Sequence, residues 1–148
     1  MARQTRNINE IIIHVLDTPA DGDFGISDVN DWHRQRGFSD HNGDGVYCGY
    51  HFIIKLDGTL QVGRPIERQG AHCKGRNRFS IGVALEGGAN GENTQTKEQN
   101  TMLHSLVDCL CRILPSIHSI SGHNDYSEKS CPNFNVREEF WYRGSNKC

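Results

Sequence analysis

The chain has 148 residues, enough for one domain with a real buried core and too few for two of ordinary size. Its 16 Lys and Arg against 18 Asp and Glu give a formal charge of −2, which excludes the basic footprint that nucleic-acid binding requires. The opening residues Met1 to Arg6 are polar, and no later apolar run is long enough for a signal segment or a bilayer span, so the expectation is a monomer made in the cytoplasm with its six cysteines reduced.

Residues 10–16, Glu-Ile-Ile-Ile-His-Val-Leu, are continuous and mostly β-branched, as in a strand covered on both faces. Ser27 is a suitable N-cap for a short helix through Trp32 and His33 that Gly37 stops. Tyr47 to Lys55 reads as a strand, with Asp57-Gly58 as a hairpin turn and Thr59 to Val62 as its partner. Asp40 to Gly45, just before that strand, matches the first half of a calcium-binding loop. The glutamate due at the twelfth position is His51, and a strand stands where the second helix should be, so a polar surface turn is expected. Residues 63–79 are irregular and rich in Gly, Arg and His, a candidate wall for a site.

Ser80 to Leu85 predicts a second buried strand. Thr96 with Gln99 three residues later makes a capping box, and Met102, Leu103, Leu106, Val107, Leu110, Ile113 and Leu114 then form one apolar helical stripe. Ile117 to Ile120 reads as a short strand, and Asn135 to Tyr142 as a closing helix with Asn135 as cap and Glu138 at its third position. Strands alternating with helices predict an α/β fold, a single domain over residues 1–148 with a mixed central β-sheet flanked by helices. Cys48, Cys73, Cys109 and Cys111 are read as small packing residues, and Cys148 as a terminal thiol without evident role.

Gly122 to Pro132 sets an imidazole, a lysine and a thiol into one polar turn, His123, Lys129 and Cys131. On a single helix His123 and Cys131 would stand about 12 Å apart, too far for one ion, so a loop must fold them together. Two histidines and one cysteinate form an open zinc set, with the fourth tetrahedral position free for water or substrate. His14, ending a run of isoleucines, fits the place of third ligand at the end of a buried strand. Taken alone it reads as a satisfied core histidine.

The segments Ile13-His14, Trp32-His33, Gly49 to Ile54, Asp57-Gly58-Thr59, Gly63-Arg64, Gly70-Ala71-His72, Asn77, Ser80 to Val83 and His123 to Cys131 carry a further signal in their order and spacing. Together they resemble the zinc-dependent N-acetylmuramoyl-L-alanine amidases of phage lysozymes (endolysins) and peptidoglycan-recognition proteins. The resemblance implies that His14, His123 and Cys131 bind Zn2+, that Tyr50 and Lys129 lie beside the open coordination position as catalytic helpers, and that His72 and Asn77 line the substrate groove. It implies an enzyme that hydrolyses the amide between N-acetylmuramic acid and L-alanine in bacterial peptidoglycan or muropeptides. Such an endolysin would be cytoplasmic at synthesis and reach the cell wall after release by a separate factor.

The residue types suit those roles, since Lys129 could stabilise an oxyanion and Tyr50 is a phenol that stays protonated near neutrality. Cytoplasmic wall-recycling amidases are similar but carry a glutamate where Ala84 stands here. Glu86 shares that strand face about 7 Å further on. Arg64, Lys74, Arg76 and Arg78 are candidates to pair with stem-peptide carboxylates. The rival reading is a non-catalytic peptidoglycan-binding or host-protein-regulating module on the same fold.

Overall fold

A polar and an apolar face on one sheet organise the protein in the computed structural model, which describes residues 6–40 and 43–143 apart from the Arg143 side chain. In chain order the elements are β1 (Glu10–Val15), α1 (Ile26–Gln35), β2 (Phe52–Ile54), β3 (Leu60–Val62), β4 (Ser80–Leu85), α2 (Lys97–Ile113), β5 (Ser119–Gly122) and α3 (Val136–Glu139). The sheet order is β3-β2-β4-β1-β5. β1 pairs in parallel with β4 and β5, β2 in parallel with β4, and only β3 runs antiparallel, so the sheet is mixed as expected.

Alternation along the strands separates the two faces. Ile11 and Ile13 of β1 join Ile81, Val83 and Leu85 of β4 in the main core, where they pack with Leu103, Leu106, Val107 and Leu110 of α2. The opposite face carries Glu10 and His14 of β1, with Ser80 and Ala84 of β4 beside them in register. Under α1 it is apolar, where Ala84, Ile53, Val29 and Cys48 form a second cluster. Elsewhere that face is largely polar but buried, with Glu10, His14 and Ser80 at 4% exposure or less and the apolar Ile12 between Glu10 and His14.

α2 is built as its sequence predicts. Thr96 Oγ1 accepts the Gln99 N–H and Gln99 Oε1 accepts the Thr96 N–H, both at 3.0 Å. Ile113, expected in the buried stripe, is 60% exposed because it ends the helix beyond the sheet. Cys109 is exposed rather than packed; Cys111 is buried in the main core as expected but disulfide-bonded, which corrects its reading as a reduced thiol. Cys148 lies outside the described residues.

The other boundaries move for identifiable reasons. α1 begins after Gly25, not Ser27, because Asp28 Oδ2 accepts the Gly25 N–H at 3.0 Å and Gln61 Oε1 accepts the Ile26 N–H at 2.8 Å, capping the helix early. The strand expected over 47–55 contracts to β2 because its first half pairs with loops. The Gly49 carbonyl takes the Ala71 N–H at 3.0 Å and the Tyr50 carbonyl takes the Arg64 N–H at 2.9 Å. A Cβ on Gly49 would lie 2.1 Å from the Ala71 carbonyl oxygen, so only glycine lets the 70–72 loop approach this closely.

β5 begins at Ser119 instead of Ile117, whose N–H turns back to the Leu114 carbonyl at 3.0 Å. The closing helix is shorter than expected. Asn135 Oδ1 caps α3 through the Glu138 N–H at 3.1 Å, and the chain then tightens into a 3-10 turn at Trp141–Arg143. Asp44, in the calcium-like segment, pairs with Arg68 at 2.7 Å, while His41 and Asn42 lie outside the described residues. Among the described residues no helix is long and apolar enough to cross a membrane.

Candidate active site

The register of the two central strands creates the site. Ile13 of β1 stands opposite Gly122 of β5. The next residue of each, His14 and His123, therefore leaves the carboxyl ends of adjacent parallel strands side by side, with ring centroids 4.7 Å apart. This is where open α/β sheets bind their ligands. After His123 the chain makes a 3-10 turn, capped by Asp125 Oδ2 on the Gly122 N–H at 2.8 Å. It then returns Cys131 to β1, where the Val15 N–H donates to Cys131 Sγ at 3.3 Å.

One ligand atom from each of His14, His123 and Cys131 lies within 4.8 Å of the other two. The donor set is chemically apt for a zinc ion with one open position. Burial, then the neighbouring His123, holds His14 well below the usual histidine range. Burial followed by the Lys129 charge lowers His123 as well. Both rings are thus neutral near pH 7 and can offer a lone pair. Burial pushes the Cys131 thiol up, opposed by the Val15 N–H and the Lys129 ammonium, which favour the thiolate that a metal needs.

Side contacts brace the returning loop. Asn133 Nδ2 donates to the carbonyls of Gly88 at 2.9 Å and Glu92 at 2.7 Å, and Asn124 Nδ2 donates to Phe134 O at 3.1 Å. Below it, the Tyr126 hydroxyl and Ser119 and Ser121 gather on the buried Glu10 carboxylate, and the Arg76 guanidinium lies 4.0 Å from the centre of the Tyr126 ring.

All seven residues expected at the site, His14, Tyr50, His72, Asn77, His123, Lys129 and Cys131, line a cavity of about 1060 Å³. The Tyr50 ring centroid is 5.2 Å from that of His14, and burial followed by the Cys131 and Cys48 charges pushes the Tyr50 phenol up. It remains a hydrogen-bond donor at neutral pH. His72 approaches His14 directly, Nδ1 to Nε2 at 2.8 Å. Asn77 Oδ1 accepts the N–H groups of His72 at 2.8 Å and Cys73 at 2.9 Å, so its carbonyl is committed to shaping the wall.

Of the four cationic side chains considered for substrate carboxylates, Lys74 alone lines the cavity. Arg64 is 1% exposed and donates to the backbone carbonyls of Cys48, Gln69, Ser39 and Tyr47, a structural role. Arg76 is taken up by Tyr126, and the Arg78 guanidinium lies 5.6 Å from the centre of the Phe79 ring.

Sequence reasoning missed Arg36 and Asp17, which also line the cavity. Arg36 could have been found from α1, because it follows His33 by three residues and so shares its side of the helix. The cavity wall thus has three cations, Arg36, Lys74 and Lys129, against the Asp17 carboxylate. Glu86 is tied elsewhere, its carboxylate accepting the N–H groups of Phe24 at 2.6 Å and Leu56 at 2.9 Å.

The profile of the N-acetylmuramoyl-L-alanine amidase family matches residues 4–134. Over 133 residues the chain is 34% identical to the endolysin of Enterobacteria phage K11, covering 87% of this chain and 83% of that protein. Among solved structures, the N-acetylmuramoyl-L-alanine amidase LysC from Clostridium intestinale superposes with a TM-score of 0.76 at 33% identity, covering 90% of this chain and 82% of that one. Drosophila PGRP-LB shares the fold, with a TM-score of 0.75 at 24% identity over 95% of this chain and 84% of that one.

Proposed function

The chain belongs to the N-acetylmuramoyl-L-alanine amidase family, and from that premise we propose that it is a zinc-assisted phage endolysin cutting the amide between the lactyl group of N-acetylmuramic acid and L-alanine in peptidoglycan. The observation that carries the metal reading is the convergence of His14, His123 and Cys131 within 4.8 Å at the floor of the cavity. When bound there, zinc supplies Lewis-acid polarisation and makes a water proton labile near neutrality.

The chain's own residues do the rest. Lys129 presents a cation at the cavity wall beside His123, where it can neutralise charge developing on the carbonyl oxygen. Tyr50, kept protonated by burial, donates a hydrogen bond toward the reacting centre. Ala84 contributes no carboxylate and Glu86, just past β4, is committed to two backbone N–H groups, so neither supplies a general base. Arg36 and Lys74 give the groove a positive lining suited to the carboxylates of a stem peptide. His72 and Asn77 shape its wall.

The deciding experiment digests purified peptidoglycan with the zinc-loaded protein and maps the new ends by mass spectrometry. New L-alanine amino termini without new reducing sugars support the amidase reading. Tight binding to peptidoglycan with no new termini would instead establish the non-catalytic module.

A further inference from the structure

We propose that His72 is a positioning residue for the metal ligand His14, fixing its tautomer through a one-directional chain of hydrogen bonds that ends on a backbone carbonyl. The inference rests on the zinc reading of the site. A carbonyl oxygen can only accept, so the Ser80 hydroxyl, 2.9 Å from Arg76 O, donates to it. With that single proton committed, Ser80 Oγ must accept from His72 Nε2 at 3.2 Å. His72 therefore carries its proton on Nε2 and a lone pair on Nδ1. That lone pair accepts from His14 Nε2–H at 2.8 Å. His14 is left with Nδ1 as its free donor atom, and its ring is locked against rotation.

The surroundings of His72 are shaped for this contact. Its ring lies over Gly82, where an added Cβ would fall 2.6 Å from both Cγ and Cδ2, and against Gly70, where one would fall 2.6 Å from Cδ2. Gly82 stands beside Ile12 in the pairing of β4 with β1, two residues before the Ala84 that pairs with His14, so the gap under His72 and the ligand belong to one sheet face. The ring planes of His14 and His72 meet at 88°, with centroids 4.9 Å apart, an edge-on approach that suits a nitrogen-to-nitrogen hydrogen bond. Asn77 fixes the backbone from which His72 hangs. Metal-bound histidines commonly donate their second ring N–H to a carboxylate, a carbonyl or water. Here a neutral imidazole takes that place, which orients the ligand without adding a second negative charge to the cysteinate.

The test compares wild type with His72→Asn, which keeps an acceptor at the position of Nδ1, and His72→Leu, which removes it. Zinc affinity is measured by competition with a chromogenic chelator, and folding of each metal-free variant is checked by thermal melting. The Leu variant should bind zinc about 10- to 100-fold more weakly, as outer-shell losses typically do, and the Asn variant should recover most of that loss. Wild-type affinity in a folded Leu variant, or an equal loss in both variants, overturns the proposal. Should the Leu variant fail to fold, two-bond 1H–15N spectra of the wild-type protein decide: Nε2–H at His72 supports the chain, and Nδ1–H overturns it. A wild-type protein that takes up no stoichiometric zinc removes the metal reading itself, whereas normal wild-type zinc with an unaffected Leu variant removes only the role of His72.

Discussion

The side-chain oxygen of Asn77 accepts the backbone N–H of His72 at 2.8 Å and so determines where the wall of the cavity runs. The same oxygen takes the Cys73 N–H at 2.9 Å. Asn77→Ala would orphan both donors, at a cost of about 1–3 kcal/mol for unsatisfied buried groups. Urea denaturation should show that loss, and KM for a muropeptide should rise. Asn77→Asp, which keeps the acceptor, should recover most of the stability.

Loss of one metal ligand should abolish both metal and activity. Cys131→Ser and His123→Ala are expected to fall from one zinc per chain to a small fraction in elemental analysis, and to release no L-alanine termini. Chelator treatment of the wild type should have the same effect, reversed by added zinc. Full activity in the dialysed, metal-free protein would end the zinc reading.

Tyr50 and Lys129 line the cavity but are not among the three side chains that could hold a metal. Tyr50→Phe and Lys129→Ala should therefore retain zinc while kcat falls about 10²- to 10³-fold, the usual cost of removing a donor that stabilises developing charge. If either variant turns over muropeptide at the wild-type rate, its assigned role is wrong.

Arg64, one of four candidates from the sequence for pairing with substrate carboxylates, should instead govern stability. Its guanidinium satisfies four backbone carbonyls at 1% exposure. Arg64→Met should cost about 3 kcal/mol or more by leaving those carbonyls unpaired. Arg64→Lys should rescue little, since an ammonium cannot reproduce the planar fork. Equilibrium unfolding measures both.

Burial lowers His33 to about 4 and His51 to about 3. Their folded pKa values lie below the unfolded value near 6.5, so below that pH the unfolded chain binds more protons than the folded one. The contribution of these two histidines to stability should be constant above about pH 7. It should then fall as the pH drops through 6.5 toward 4, with each histidine contributing a slope of up to about 1.4 kcal/mol per pH unit. Urea midpoints recorded across that range in chelator would test this, and a midpoint that rises toward low pH would contradict it.

Much of the fold was legible because its signals are local. The Thr96 and Gln99 capping box, the α2 stripe apart from Ile113, the Asp57-Gly58 turn and the unbroken run Ser80 to Leu85 each lie within a few residues of chain, and each stands where the sequence placed it. Boundaries slipped where a distant partner intervened. Gln61 helps cap α1, and the 63–71 loop claims the carbonyls of Gly49 and Tyr50 that a longer β2 would have used.

By itself the sequence determined the alternation of strands and helices and supplied two imidazoles and a thiol capable of holding zinc, because periodicity, capping and ligand chemistry are properties of neighbouring residues. Tertiary structure alone decided that Ile13 faces Gly122, which sets His14 against His123, that His72 reaches His14, that Arg36 lines the cavity, and that Arg64 is buried. Those outcomes depend on strand register and on which surfaces close over one another, and the pairing of residues from distant parts of the chain leaves no local pattern from which to read it.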